Sequence, residues 1–141
     1  MTNRPTKDKV ADAAVELFFQ KGFHATSVRD IAQVATVNVS LIHYYFKSKQ
    51  GLLEYTIIEY YERYMAYLEK ELRQVEKEDK IKQLKILIEA MMRYKVETYE
   101  LTYFIQRELS IDSTFVRELS VTYLAKEKHI LKVLFLENEY L

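Results

Sequence analysis

The stretch Ser27-Val28-Arg29-Asp30-Ile31-Ala32-Gln33-Val34-Ala35-Thr36-Val37-Asn38-Val39-Ser40-Leu41-Ile42-His43-Tyr44-Tyr45-Phe46 decides the fold. Ser27 followed three residues later by Asp30 is a capping box, with Asp in place of the usual Glu or Gln. Val28, Ile31, Ala32 and Ala35 then recur at helical spacing and face inward. The pattern breaks at Thr36-Val37. Asn38, a good N-cap, opens a second short helix from Val39 to about Phe46. Ile31, Ala32 and Ala35 are small or slim, so the two short helices can cross closely, with Val37 as the buried residue of the turn. Two short helices joined by a tight turn form the helix-turn-helix plan, in which the second helix enters the DNA major groove. Its exposed positions would be Val39, Ser40, His43 and Tyr44, with Lys47 and Lys49 following at once.

Upstream, Thr6 reads as the N-cap of a helix reaching Lys21. Val10, Ala13, Ala14, Leu17 and Phe18 form one apolar stripe on it. Gly22 sits where a C′ glycine belongs, and Phe23 follows at the hydrophobic C″ position. Downstream, Ser48 caps a long helix from Lys49 to about Lys77, with Leu52, Leu53, Ile57, Tyr60, Tyr61, Tyr64, Leu68 and Leu72 on its apolar side. The run Glu76–Lys80 marks a turn. A further helix is expected from Lys80 to about Leu109, with Ile81, Leu84, Leu87, Ile88, Met91, Met92, Val96, Tyr99, Phe104 and Ile105 on its apolar side. Ser110–Ser113 marks a break before a last helix, Thr114 to about Phe135. The expected fold is all-α. A three-helix helix-turn-helix head over residues 1–49 precedes a bundle of long helices over residues 50–141.

Composition narrows the function classes. The 141 residues include no cysteine, which excludes a disulfide scaffold, a zinc finger and a cysteine nucleophile. Two glycines and one proline are too few for the turns of an all-β fold or for a Rossmann or Walker phosphate loop. No run approaches the ~18 apolar residues of a transmembrane helix. The polar N-terminus has no signal-peptide core, so a cytoplasmic, nucleoid-associated location is expected. Net charge is zero, yet residues 1–49 hold seven Lys or Arg against four Asp or Glu, and residues 50–141 hold 14 against 17. A mildly basic first third has the sign expected of a phosphate-facing part.

Gly22-Phe23-His24-Ala25-Thr26-Ser27-Val28-Arg29-Asp30-Ile31-Ala32, Ala35-Thr36-Val37-Asn38 and Tyr44-Tyr45-Phe46-Lys47-Ser48-Lys49-Gln50-Gly51-Leu52-Leu53 together resemble the DNA-binding head of the TetR family. The resemblance covers about residues 7–53. It implies an all-α homodimer on near-palindromic double-stranded DNA, with a helical body that dimerises and often binds a ligand. Carried over by position, Thr26, Tyr45, Lys47 and Lys49 would hold phosphates. Arg29, Val39, Ser40 and His43 would face base edges, with Tyr44 beside them. Two positions depart from the pattern. The usual turn glycine is Thr36, so the left-handed position must be relaxed or the turn changed. The first Tyr of Tyr-x-Tyr-Phe is His43, whose ring can donate or accept. The resemblance also implies a longer body, with a two-helix dimer face, than the chain to Leu141 supplies.

A narrower likeness rests on Val37-Asn38-Val39, Tyr44 to Leu52 and the Tyr-rich helix behind. It is to a TetR-type DNA-binding protein of spore-forming bacilli that regulates assembly of the division protein FtsZ. That reading puts a protein partner on the body in place of a small apolar ligand. A third reading is a helical interaction module without DNA binding. No catalytic set, metal site or cofactor motif can be named. His24 and His129 read as structural. Tyr55, Tyr60, Tyr61, Tyr64 and Tyr67 read as core and dimer interface, Met91 and Met92 as core, and Arg107, Arg117 and Glu118 as solvated charge.

Overall fold

The computed structural model describes residues 5–108 and 114–136. These contain seven helices: α1 (Thr6–Lys21), α2 (Val28–Ala35), α3 (Val39–Phe46), α4 (Lys49–Gln74), α5 (Lys80–Glu97), α6 (Tyr99–Glu108) and α7 (Thr114–Leu136). The chain forms two compact units, Met1–Glu59 with Glu100–Asp112, and Tyr60–Tyr99 with Ser113–Leu141. The first unit therefore runs past the expected boundary at residue 49 and takes in α6. The expected break at Ser110–Ser113 lies outside the described residues.

In the first unit, Val10, Ala13, Ala14, Leu17 and Phe18 of α1 are buried, as the stripe predicts. So are Ile31, Ala32 and Ala35 of α2 and Ile42 and Phe46 of α3. Val28 and Val37, expected inside, are only half-buried. Pro5, not Thr6, is the N-cap of α1. Its carbonyl accepts from the Asp8 and Lys9 N–H groups at 3.0 and 3.2 Å. Gly22 ends the helix at φ 83°, and its N–H donates to the Phe18 carbonyl at 2.9 Å.

α6 joins this unit through Phe104, whose ring stacks on Phe18 at 5.5 Å between centroids. Arg107 reaches the end of α1. Its Nη2 donates to the Phe18 carbonyl at 2.9 Å, and its Nη1 lies 3.5 Å from that of Phe19. A cation on the last carbonyls of a helix meets the negative end of its dipole. Arg107 is thus a half-buried capping cation and not the solvated charge expected.

The turn between α2 and α3 keeps the left-handed geometry that its missing glycine put in question. Thr36 takes φ 55° and ψ 46°. That region costs a non-glycine residue about 1–2 kcal/mol, and β-branching adds to the crowding. The Thr36 hydroxyl donates to the Ala35 carbonyl at 2.7 Å, a small return. We expect Thr36→Gly to stabilise the head by about 1 kcal/mol, after glycine's greater chain entropy is subtracted. Urea unfolding of the two proteins measures this, and an unchanged midpoint would refute a strained turn.

The second unit is built around Tyr64, Met65, Leu68, Leu87, Ala90, Tyr123 and Leu134. Tyrosines dominate because a buried ring adds area while its hydroxyl finds a partner. Tyr64 donates to Glu127 at 2.8 Å, Tyr61 to Ser120 at 3.2 Å, Tyr94 to the Tyr60 carbonyl at 2.7 Å, and Tyr123 to Glu62. The Tyr61 and Tyr123 rings stack at 4.5 Å. Burial and the carboxylate of Glu62 raise the Tyr123 phenol to about 12.

The turn after α4 is tied by buried Gln83, whose amide donates to the Glu76 and Glu78 carbonyls at 3.0 Å each. Asp79 caps α5 by accepting from the Lys82 N–H at 2.9 Å. The single helix expected from Lys80 to Leu109 is instead two, divided at Thr98. The Thr98 hydroxyl donates back to the Tyr94 carbonyl at 2.7 Å, and its backbone leaves helical geometry at φ −107°, ψ 35°. Such back-bonding competes with the helical ladder. Ile81, Ile88, Met92, Val96 and Tyr99, expected on the apolar side, are exposed.

Candidate DNA interface

Both short helices are capped as their sequences predict. Ser27 Oγ accepts from the Asp30 N–H and Asp30 Oδ2 from the Ser27 N–H, each at 3.0 Å. Lys21 Nζ lies 3.1 Å from the same carboxylate. The Ser27 N–H, then Lys21, holds the Asp30 carboxyl down at about 2 from its ordinary 3.8. A depressed carboxylate stabilises the fold above its unfolded value, and that contribution is lost as pH falls through the folded value. The stability gap between the wild type and Asp30→Asn should therefore be full above about pH 5 and close from pH 4 to 2. Urea titrations across that range check it, and a pH-independent gap would contradict the assignment.

On α3, Asn38 Oδ1 accepts from the Ser40 N–H at 3.2 Å. Ile42 and Phe46 are buried, one turn apart. The opposite face carries Ser40, His43 and Tyr44, all exposed, and half-buried Val39. Tyr44 is 80% exposed, an unusual outlay of aromatic surface to leave in water. Val39 and His43, and likewise Ser40 and Tyr44, are i, i+4 pairs, so the four make one patch. Tyr45 is exposed at its edge, its ring 5.2 Å from that of Tyr44. Lys47 ends α3 with φ 68° and an exposed side chain. Arg29 is exposed in the first turn of α2.

Two of the phosphate candidates are placed otherwise than expected. Thr26 is only 1% exposed. Its hydroxyl donates to the Gly22 carbonyl at 2.8 Å and approaches that of Leu17 at 3.3 Å. It closes the α1–α2 loop, and its side chain has no surface to offer a phosphate. Lys49 is half-buried, and its Nζ donates to the Phe23 carbonyl at 2.8 Å while sitting 4.2 Å from the centre of the Phe23 ring. The ammonium clamps the start of α4 to that same loop, so the side chain positions the head. Lys7 makes a similar clamp, 4.4 Å over the Tyr55 ring. Neither lysine–ring contact is marked in the sequence, because residues 23 and 49, or 7 and 55, meet only in the fold.

The patch is polar and apolar at once, rigid on its buried side, and followed by an exposed lysine. It can place a hydroxyl, an imidazole, a phenol and a methyl pair against base edges, which are the groups that read a major groove. Among the described residues, no helix is long and apolar enough to cross a membrane.

Comparison with known proteins agrees with this geometry. Residues 10–56 match the family described as bacterial regulatory proteins, tetR family. The probable HTH-type transcriptional regulator YttP of Bacillus subtilis is 46% identical over 134 residues, which are 95% of this chain and 65% of that protein. The chain thus spans less than two thirds of that relative's length. The HTH-type regulator YvkB of the same organism is 45% identical over 51 residues, 36% of this chain and 27% of the relative. Among solved structures, the fatty acid degradation regulator FadR from Bacillus halodurans superposes with a TM-score of 0.78 at 27% identity, over 99% of this chain and 72% of that one. PfmR from Thermus thermophilus gives 0.75 at 26% identity, over 89% and 67%. A capped helix pair, a helix with one buried and one exposed face, and these likenesses agree: residues 10–56 match the tetR family of bacterial regulatory proteins, and the chain is similar along its length to a probable HTH-type transcriptional regulator.

Proposed function

We propose that the chain is a sequence-specific, double-stranded-DNA-binding regulator of transcription that acts in the cytoplasm, on the nucleoid, as a homodimer. α3 enters the major groove in each half-site. The observation that carries this reading is the exposed patch of Ser40, His43 and Tyr44 on a helix anchored by buried Ile42 and Phe46. A recognition helix needs this pairing of a fixed back and a wet, chemically mixed front. Two heads related by a two-fold axis would meet a near-palindromic site, with half-sites about one helical turn apart. The second unit is the dimerising and regulatory part in this reading. A small apolar ligand there would act only through its differential affinity for two arrangements of the heads.

Phosphate contacts set affinity without reading sequence. Lys47, exposed just past α3, is the side chain assigned that role. Lys47→Ala should weaken binding to every duplex about equally and reduce the slope of log affinity against log salt by about 1 per subunit, about 2 for the dimer. Titration of labelled duplexes from 50 to 200 mM salt tests this. Unaltered affinity and slope would remove Lys47 from the interface, and no binding by the wild type at any salt would remove the function.

A further inference from the structure

The ring of His43 does not hang free. Its Nδ1 lies 3.2 Å from the Lys47 carbonyl oxygen. In a continuing helix that carbonyl would point along the axis, away from the residue one turn back. Here Lys47 leaves the helix at φ 68°, ψ −42°, which turns its peptide so that the oxygen meets the imidazole. A carbonyl can only accept, so Nδ1 must carry the proton. In the neutral ring the other nitrogen, Nε2, is then a lone-pair acceptor. It lies on an exposed side chain within the patch of Ser40 and Tyr44.

We infer that His43 is a specificity-determining residue that reads the exocyclic amino group of a base in the major groove, N6 of adenine or N4 of cytosine, through Nε2. The Lys47 backbone sets the tautomer. The inference rests on the proposed DNA reading and adds the direction of one hydrogen bond to it. In the major groove only those amino groups donate, whereas N7, O6 and O4 all accept. A ring with the opposite tautomer would offer Nε2–H and select the acceptors instead. Lys47 therefore has two separable roles, its ammonium for phosphate and its carbonyl for the orientation of His43.

The test uses the whole chain at pH 8. Selection from a random duplex library identifies the base pair whose preference disappears in His43→Ala. Duplexes are then made with that pair altered one group at a time. The amino group is removed by using purine for adenine or a pyrimidinone for cytosine, or N7 is removed by a 7-deaza purine. The comparison protein is His43→Asn, whose side-chain amide can still donate to the Lys47 carbonyl but has no atom at the place of Nε2. Loss of the amino group should weaken the wild type about five- to tenfold more than it weakens His43→Asn, and loss of N7 should affect the two alike. The inference is overturned if N7 removal separates the two proteins and amino removal does not. It is overturned equally if both variants select the wild-type sequence, in which case the DNA reading stands without it. If the wild type selects nothing, the DNA reading fails first and the inference with it.

Discussion

Phe18→Ala should destabilise the first unit by about 3–5 kcal/mol and lower the thermal midpoint by roughly 10–20 °C. Phe18 has no exposed surface. Its ring stacks on Phe104 and lies 5.5 Å from Phe23, so one truncation takes partners from α6 and from the α1–α2 loop together. A small domain commands only about 5–15 kcal/mol in total. The substitution should therefore leave little folded head at 37 °C and abolish DNA binding with no interface residue touched. Phe19→Ala is the control. Phe19 is half-buried and meets Tyr103 edge-on at 5.8 Å, so its loss should cost about 1 kcal/mol. Chemical denaturation of both variants decides the matter. Equal costs would mean that the Phe18–Phe104 stack is not the centre of the head's core.

Gly51→Ala should also act through the fold, on α3 directly. A Cβ at residue 51 would fall on the Phe46 carbonyl oxygen, far inside van der Waals contact. That oxygen already accepts from the Ser48 N–H at 2.8 Å, and the Gly51 N–H donates to Ser48 Oγ at 3.0 Å. The two nearest atoms to the new methyl, the Phe46 carbonyl oxygen and carbon, are backbone, so no rotamer change relieves it. Alanine ordinarily gains about 1 kcal/mol over glycine in a helix. A hard backbone contact costs more, since a bond-angle distortion of 15° alone costs about 4 kcal/mol. The net expectation is a loss of about 2 kcal/mol, with the end of α3 and the start of α4 pushed apart. Because Lys47 sits between them, DNA affinity should fall about tenfold or more even under conditions where the head stays folded. Stability and duplex affinity measured on one preparation test this. A stabilised variant with normal affinity would contradict the close approach.

Much of the head was legible because its signals are local. Ser27 and Asp30 cap each other, Asn38 caps α3, and Gly22 ends α1, each within four residues of its partner. The apolar stripe of α1 was legible for the same reason. What escaped depends on contacts far apart in sequence, or on competition between two local options. Residue spacing placed Thr26 near the α2 start but did not say that its hydroxyl turns inward to Gly22. Nor did it say that Lys49 reaches Phe23, 26 residues away. Arg107 bridges 89 residues to Phe18. The break at Thr98 has neither Gly nor Pro to announce it, only a threonine bonding to its own helix. α5 shows the limit of reading a stripe. Its apolar residues wrap wider than one face, so Leu87 and Ala90 are buried while Ile88 and Met92 remain exposed.

In the candidate interface, Ser40, His43 and Tyr44 on the exposed face of α3 could be read directly, whereas Val39, expected exposed, is half-buried beside the face that carries Ile42 and Phe46. The tautomer of His43 could not be read. It depends on the left-handed backbone of Lys47, a conformation that lysine adopts rarely and no motif encodes.

The most direct measurement of the central claim is enrichment of genomic DNA. Purified protein is incubated with fragments of its host's chromosome at near-physiological salt, and the retained fragments are sequenced. The account predicts a small set of sites sharing one near-palindromic sequence, with half-sites about one helical turn apart and the same half-site lost or altered in Ser40→Ala and His43→Ala. Retention that follows fragment length alone, with no shared sequence, would contradict it.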